Sequence, residues 1–404
     1  MQQSGILILN SGSTSLKFAL YQLINAELNV IATGAFTGMP NNANLKIKAP
    51  TGQILTDLTF TAQDNVNHEV ALSKLLPLLH EQFPDLNIAY AGHRIVLGGE
   101  KYTQAIKLDA ESLAYLEDLS KIEPTHQAYE VMGARALAKI FPEIKQSATF
   151  DTSFHRTMPA VAEFYPVPAT ITAQGVRHWG FHGISYAYIN RQIAKIIPTA
   201  KRVIVAHLGG GASLCAMLNG QSIDTSMQFG AITGLPMATR SGDFPADAVF
   251  YLLKQCNYTA ESLEAELEKH SGLLGASLGI SDDMRTLEQS DDLHAQQALA
   301  YFDYAVLKYI GAYTAALEGL DTLVFTAGIG ENDAQFRARI CTKLAWLGIQ
   351  LNPEANLTAV NCAQAHKISQ ESSKVAVYVI PTNEELMIAL NIAELYNLVP
   401  NSNN

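Results

Sequence analysis

Two stretches of the chain repeat one pattern of apolar and polar positions. Ile6-Leu7-Ile8-Leu9 runs into the small-residue turn Asn10-Ser11-Gly12-Ser13-Thr14-Ser15 and resumes as Leu16-Lys17-Phe18-Ala19-Leu20. Val203-Ile204-Val205-Ala206 runs into His207-Leu208-Gly209-Gly210-Gly211-Ala212-Ser213 and resumes as Leu214-Cys215-Ala216-Met217-Leu218. Short, unbroken apolar runs bounded by turn residues predict buried strands. Each stretch therefore reads as strand, turn, strand, and the two lie roughly half a chain apart. That spacing predicts an internal duplication of one α/β unit with a cleft between the halves.

Helical periodicity fills much of the rest. Residues 110–122 carry Leu113, Leu116 and Leu119, and residues 127–141 carry Val131, Met132, Ala136, Leu137 and Ile140. Residues 294–317 form a long, largely apolar helical stretch, suited to burial or a subunit contact, and 335–347 and 384–398 are further helices. Strands alternating with helices argue for an α/β fold. The boundary is placed near Phe150, giving an N-terminal α/β domain over 1–150 and a second over 151–384. The last helix, 385–404, is expected to pack back on the first domain, with Asn401–Asn404 frayed.

Composition narrows the class. The 404 residues are 48% hydrophobic and 16% charged, enough to bury large cores and far from disordered composition. Lys plus Arg is 27 against Asp plus Glu 38, a net −11, which argues against sequence-independent nucleic-acid binding. No run approaches the length of a transmembrane helix, and the N-terminus lacks a signal-peptide pattern, so a cytoplasmic chain with no membrane partner is expected. Cys215, Cys256, Cys341 and Cys362 are scattered and form no C-x-x-C pair, which predicts reduced thiols.

Candidate chemistry lies in the turns. The first is dense in hydroxyls and closes on Lys17. Such a turn can hold phosphate oxygens, or it can be a plain hairpin; the Walker A pattern is absent. Gly209-Gly210-Gly211 permits close approach of a ligand, or serves any tight turn. Ala327-Gly328-Ile329-Gly330-Glu331-Asn332 follows the apolar run 323–326 and opens a helix, where α/β sheets hold nucleotides. Arg94, directly after Ala89-Tyr90-Ala91 and Gly92-His93, and Arg240 in Thr239-Arg240-Ser241-Gly242 sit among small residues, as anion-binding arginines or salt-bridge partners do. Asp151 follows a strand-like run and could face a metal or close a turn. Glu384 follows Thr382-Asn383 and reads equally as a metal-side carboxylate or a helix start. His126, His182 and His207 are candidate donors or structural histidines. The His178/His182 spacing resembles a zinc pair, but Gly180 and Gly183 oppose a helix there. No G-x-S-x-G elbow is present.

Taken together, LNSGSTSLKF, GHRIVLGGE, FDTSFHRTMP, GFHGIS, AHLGGGASL, IDTSMQF, MATRSGD, GISDDMR, FTAGIGEN and PTNEEL resemble the acetate kinase family, the acetate/propionate/butyrate branch of the acetate and sugar kinase, heat-shock 70 and actin superfamily. The resemblance spans residues 9–386. It implies a duplicated ribonuclease-H-like, actin-like ATPase fold with the active site in an interdomain cleft, the second domain binding nucleotide and forming a homodimer. It implies reversible phosphoryl transfer between ATP and a short-chain carboxylate, acetate first and propionate or butyrate as alternatives, giving ADP and an acyl phosphate with Mg²⁺ or Mn²⁺. A nucleotide-gated binding protein of the superfamily is the remote alternative. On this resemblance Asp151, Arg94, Arg240 and His182 are catalytic, with His182 and Arg240 stabilising the transition state and His126 and His207 in support. Arg94, Val96, Phe181 and Ala231 would hold the acid. Asn10, Ser13, Ser15, Lys17, His207, Leu208 and Gly209–Gly211 would hold phosphates. Asp283, Met284, Arg285 and Gly328, Ile329, Gly330, Glu331 and Asn332 would hold adenosine. Asn10, Asp151 and Glu384 would hold the metal. Departures from the family pattern fall at Leu97, Thr125, Gln127, Ile184, Tyr186, Gly210 and Ala231, which touches the acyl pocket and one nucleotide-loop residue and leaves the reacting set intact.

Overall fold

The computed structural model describes residues 3–399; the expected fraying of Asn401–Asn404 lies outside them. The chain divides into two compact units. One comprises residues up to Phe154 together with those from Asn383 onward, and the other is His155–Thr382. The divisions thus fall at 154/155 and 382/383, and Glu384 stands in the first unit instead of closing the second.

The first unit is built on an eight-stranded sheet of β1 (Gln3–Ser11), β2 (Ser15–Ile24), β3 (Glu27–Thr37), β4 (Asn44–Lys48), β5 (Ile54–Thr59), β6 (Leu86–Ile95), β7 (Ile106–Lys107) and β8 (Lys145–Phe150). Their order is β5-β4-β3-β2-β1-β6-β8-β7. β1, β2 and β3 form an antiparallel meander, whereas β6 runs parallel to β1 and β8 parallel to β6. Asn25 and Ala26, both at positive φ (50° and 66°), make the two-residue turn that matches the twist of β2 and β3. Ile6 to Leu9 are at most 1% exposed, as expected of a strand covered on both faces. Leu7 and Leu9 belong to a core shared with Leu72, Leu75 and Leu79 of the helix His68–Gln82. The C-terminal helix Glu384–Leu395 buries Met387, Ile388, Ala389, Ile392 and Ala393. Gly92 of β6 lets it approach, because a Cβ there would stand 2.7 Å from Ile388. Asn383 caps that helix by accepting from Leu386 N at 2.9 Å.

The second unit has a six-stranded sheet of β9 (Arg202–Leu208), β10 (Ala212–Leu218), β11 (Gln221–Thr225), β12 (Thr322–Thr326), β13 (His366–Lys367) and β14 (Ala376–Val379), ordered β11-β10-β9-β12-β14-β13. β9, β10 and β11 are an antiparallel meander, β12 runs parallel to β9 and β14 parallel to β12. Asn219 and Gly220, again at positive φ, turn β10 into β11. The set β3-β2-β1-β6-β8 is therefore repeated in order and direction by β11-β10-β9-β12-β14, the duplicated ribonuclease-H-like arrangement. The 24-residue helix Leu293–Ala316 starts at the Asp292 cap and buries Ala295, Ala298, Leu299, Phe302, Val306, Ile310 and Tyr313 at helical spacing.

Arg94 lies inside β6, one residue before its end. β5 follows no one-sided sequence pattern, since Ile54, Leu55 and Leu58 remain exposed, whereas Leu45 and Ile47 of its partner β4 are buried at alternate positions. The helix expected over 335–347 is Ala334–Lys343 followed by a separate single turn, Ala345–Leu347. Among the described residues, no helix is long and apolar enough to cross a membrane.

Candidate active site

In the first unit, parallel pairing brings the carboxyl ends of β1, β6 and β8 to one edge of the sheet, where α/β proteins place ligands. Asn10 lies directly across the hairpin from Lys17. The turn between them closes through Gly12 N donating to Ser15 O at 2.8 Å, leaving Ser13 exposed and Ser15 half-buried. Arg94 forks onto Asp151, Nη2 donating to Oδ2 at 2.6 Å and Nε to Oδ1 at 3.3 Å. Asp151 is 1% exposed. Burial works against the charge on Arg94, but Asp151 first and Glu384 next outweigh it and raise the guanidinium's pKa. Burial also pushes the Glu384 carboxyl up to about 7, against the pull of Arg94. Asn10, Lys17, Arg94 and Glu384 line one small recess with Ile8 and Ile388.

The backbone beyond Arg94 is held from the helix Gln127–Ile140. Glu130, 1% exposed, accepts from Val96 N at 2.7 Å. Gln127 accepts from Leu97 N at 3.0 Å and donates to Leu97 O at 3.1 Å. Burial pushes the Glu130 carboxyl up to about 8. His126 and Thr125 are spent locally: His126 Nδ1 lies 3.0 Å from Glu123 Oε1, and Thr125 donates to that same carboxylate.

In the second unit, the carboxyl end of β9 and the start of β10 flank the three glycines. His182 precedes the helix Gly183–Ile196 with φ of 57°. Its Nδ1 lies 2.8 Å from Ser213 Oγ, which also meets Tyr186 Oη at 2.5 Å. The His182 ring stacks on His207 with centroids 4.3 Å apart. His207 Nδ1 lies 2.8 Å from Ser185 Oγ, itself 2.7 Å from Thr382 Oγ1. Gly211 faces both side chains: a Cβ there would come 3.2 Å from His182 Nε2 and 3.8 Å from Arg240 Nη1. Arg240 donates to the carbonyl of Ala231 at 3.2 Å, so these two predicted residues touch. Phe181 is buried, and its carbonyl accepts from His155 at 2.9 Å. His178, the other half of the zinc-like spacing, turns its Nδ1 to Ala162 O.

A cavity of about 770 Å³ in this unit collects Gly209, Gly210, Asp283, Met284, Arg285, Gly328, Ile329 and Asn332, a size suited to a nucleotide-class ligand. Five members of the predicted nucleotide set in this unit, His207, Leu208, Gly211, Gly330 and Glu331, do not line it. Leu208 is buried at the end of β9. Glu331 accepts from Ala327 N at 2.8 Å and Thr382 N at 2.9 Å, tying the loop to the chain after β14. Gly330 packs against Phe325, where a Cβ would stand 3.3 Å from its carbonyl carbon.

Among the described residues, no three His, Cys, Asp or Glu side chains gather as a metal site. Asn10, Asp151 and Glu384 nonetheless offer oxygen donors, the class a hard divalent cation takes when water and phosphate complete its shell. Sequence reasoning passed over Ser213, Ser185, Thr382 and Glu130. Glu130 did leave a signal: it occupies the same helical stripe as Ala134 and Leu137, an acid on a buried face.

Residues 5–390 match the model of the Acetokinase family. The chain belongs to the acetokinase family. It is 41% identical over 395 residues to an acetate kinase of Rhodopseudomonas palustris, covering 96% of this chain and 98% of that protein. With an acetate kinase of Methylocella silvestris the identity is 39% over 393 residues, covering 95% and 96%. Among solved structures, it resembles an acetate kinase of Porphyromonas gingivalis (TM-score 0.88, 33% identity, 97% of this chain and 100% of that one). A propionate kinase of Francisella tularensis is equally similar (TM-score 0.88, 35% identity, 96% and 98%). The acetokinase fold accordingly extends over both units.

Proposed function

We infer that this acetokinase-family chain is an acetate kinase, transferring the γ-phosphoryl group of ATP reversibly to acetate to give ADP and acetyl phosphate by direct in-line attack. A carboxylate is already ionised at pH 7, so the reaction needs no strong base. Its barrier is the approach of one anion to another, which alignment and fixed positive groups lower. The observation that carries the reading is the clustering of the Arg240 guanidinium and the His182 ring against Gly211, a set of donors around a backbone turn and not an acid–base pair. In this reading Arg94 and Arg240 neutralise the acid and the equatorial phosphoryl oxygens, and His182 donates to the transferring group. Val96, Phe181 and Ala231 wall the acyl chain. Asn10, Ser13, Ser15, Lys17 and the Gly209–Gly211 turn take the phosphates, and the 770 Å³ cavity takes the adenosine. Asn10, Asp151 and Glu384 would hold Mg²⁺, which when bound supplies charge neutralisation to the phosphates. Glu331 acts by shaping its loop.

A second reading, propionate or butyrate as the preferred acid, is favoured by Ala231 and by the equal similarity to a propionate kinase. A pocket separates acids differing by one methylene by only ~1–3 kcal/mol, so the two activities overlap. We also propose a homodimer, supported by the exposure of Leu293, Tyr301 and Tyr304 on the long helix and tested by light scattering of the purified chain. The test of function is hydroxylamine trapping with ATP, Mg²⁺ and two- to four-carbon acids. Hydroxamate that depends on ATP and is formed fastest with acetate is expected; none with any acid would defeat the reading.

A further inference from the structure

His182 can act as a donor toward a phosphoryl group only if its proton sits on the nitrogen that faces the glycine turn. Neutral imidazole carries one N–H, and the hydrogen bond at one ring nitrogen decides where the proton goes. Here Nδ1 lies 2.8 Å from Ser213 Oγ, and Nε2 lies beside Gly211. Ser213 is wholly buried on β10, and Tyr186, also wholly buried, reaches the same oxygen at 2.5 Å.

We propose that Tyr186 and Ser213 are positioning residues that set the tautomer of His182: the Tyr186 hydroxyl donates to Ser213 Oγ, the Ser213 hydroxyl donates to His182 Nδ1, and the single ring proton is thereby kept on Nε2. The direction follows from acidity. A phenol is a stronger acid than an aliphatic alcohol, and an imidazole nitrogen is the strongest acceptor of the three, so the chain runs from the best donor to the best acceptor. Burial raises the Tyr186 pKa well above its usual value, so the phenol keeps its proton at working pH. Chains of this kind polarise cooperatively in a low-dielectric interior. Stacking on His207 at 4.3 Å fixes the plane of the ring as the hydroxyls fix its proton. His207 uses the same device, its Nδ1 meeting Ser185 and, through it, Thr382.

This inference rests on the proposed role of His182, and its test separates the two. In the intact protein labelled with ¹⁵N-histidine, long-range proton–nitrogen correlation spectra assigned with H182Q report the tautomer directly. The expected result is a neutral His182 with the proton on Nε2 in the unaltered chain. Loss of that preference is expected in S213A, with kcat lowered by about tenfold or more and KM for ATP unchanged. Y186F should act in the same direction with a smaller loss. A proton on Nδ1 in the unaltered chain, or an S213A spectrum with the same tautomer, overturns the proposal whatever the activity. Full activity in H182Q would instead overturn the role of the histidine, leaving the tautomer result standing on its own.

Discussion

The two units carry one strand order and hold their key side chains by opposite means. At the strand ends of the first, charge holds charge: Arg94 is forked by Asp151. At the strand ends of the second, neutral hydroxyls orient rings: Ser213 and Tyr186 serve His182, and Ser185 and Thr382 serve His207. A shared backbone frame therefore does not dictate how a site is made rigid. The first arrangement should respond to loss of charge and to pH, the second to shape and to proton placement.

The largest break in that contrast is expected from Arg94→Ala. It strands Asp151 as a buried, unpaired carboxylate, a loss of ~3–5 kcal/mol of stability, and removes ~2–4 kcal/mol of transition-state stabilisation. Denaturant titration and kcat/KM for hydroxamate formation measure the two; near-normal values for both would show that the fork is ornamental.

Next comes Glu130→Gln, which keeps an acceptor for Val96 N. The Glu130 carboxyl stays protonated in the folded chain to about pH 8, well above its unfolded value of ~4.3. Between those values the native state binds more protons than the unfolded one, so this group makes stability fall as pH rises through the window. The variant should lose less stability between pH 5 and pH 8, by on the order of a few kcal/mol; parallel profiles for both proteins would show that burial does not hold Glu130 protonated.

In the second unit the probe is steric. Gly211→Ala puts a methyl 3.2 Å from His182 Nε2 and should lower kcat by roughly tenfold with little change in stability. Met284→Ala, which trims the wall of the nucleotide cavity, should raise KM for ATP by several-fold (~1 kcal/mol of apolar contact) and leave kcat alone. The smallest effect belongs to Gly210→Ala. A Cβ there meets nothing within 4 Å, so activity within about twofold of the parent is expected, and a large loss would mean that bound phosphate comes closer to this turn than the protein atoms reveal.

Much was legible along the chain because the relevant signals are local. Apolar runs of strand length specified β1, β2, β9 and β10, and helical spacing located Gln127–Ile140, Leu293–Ala316 and Glu384–Leu395 within a few residues. Arginines and glycines gathered in short motifs named Arg94, Arg240 and the three-glycine turn. β5 was not legible, since its Ile54, Leu55 and Leu58 stay exposed and leave no one-sided pattern, although Leu45 and Ile47 of its partner β4 are buried at alternate positions. Ser213 was not legible either, because one hydroxyl in an apolar strand looks like any small residue.

Sequence by itself determined the α/β duplication, the family and the residue types offered for phosphoryl transfer. Only the tertiary structure decided which of them touch: that Asp151 pairs with Arg94, that Glu331 braces its own loop, and that His182 meets Ser213, which in turn meets Tyr186. The physical reason is range. Turns and periodicity are written in the bonding of near neighbours, whereas proton positions and ion pairs depend on groups that packing alone brings within a few ångströms across long stretches of chain.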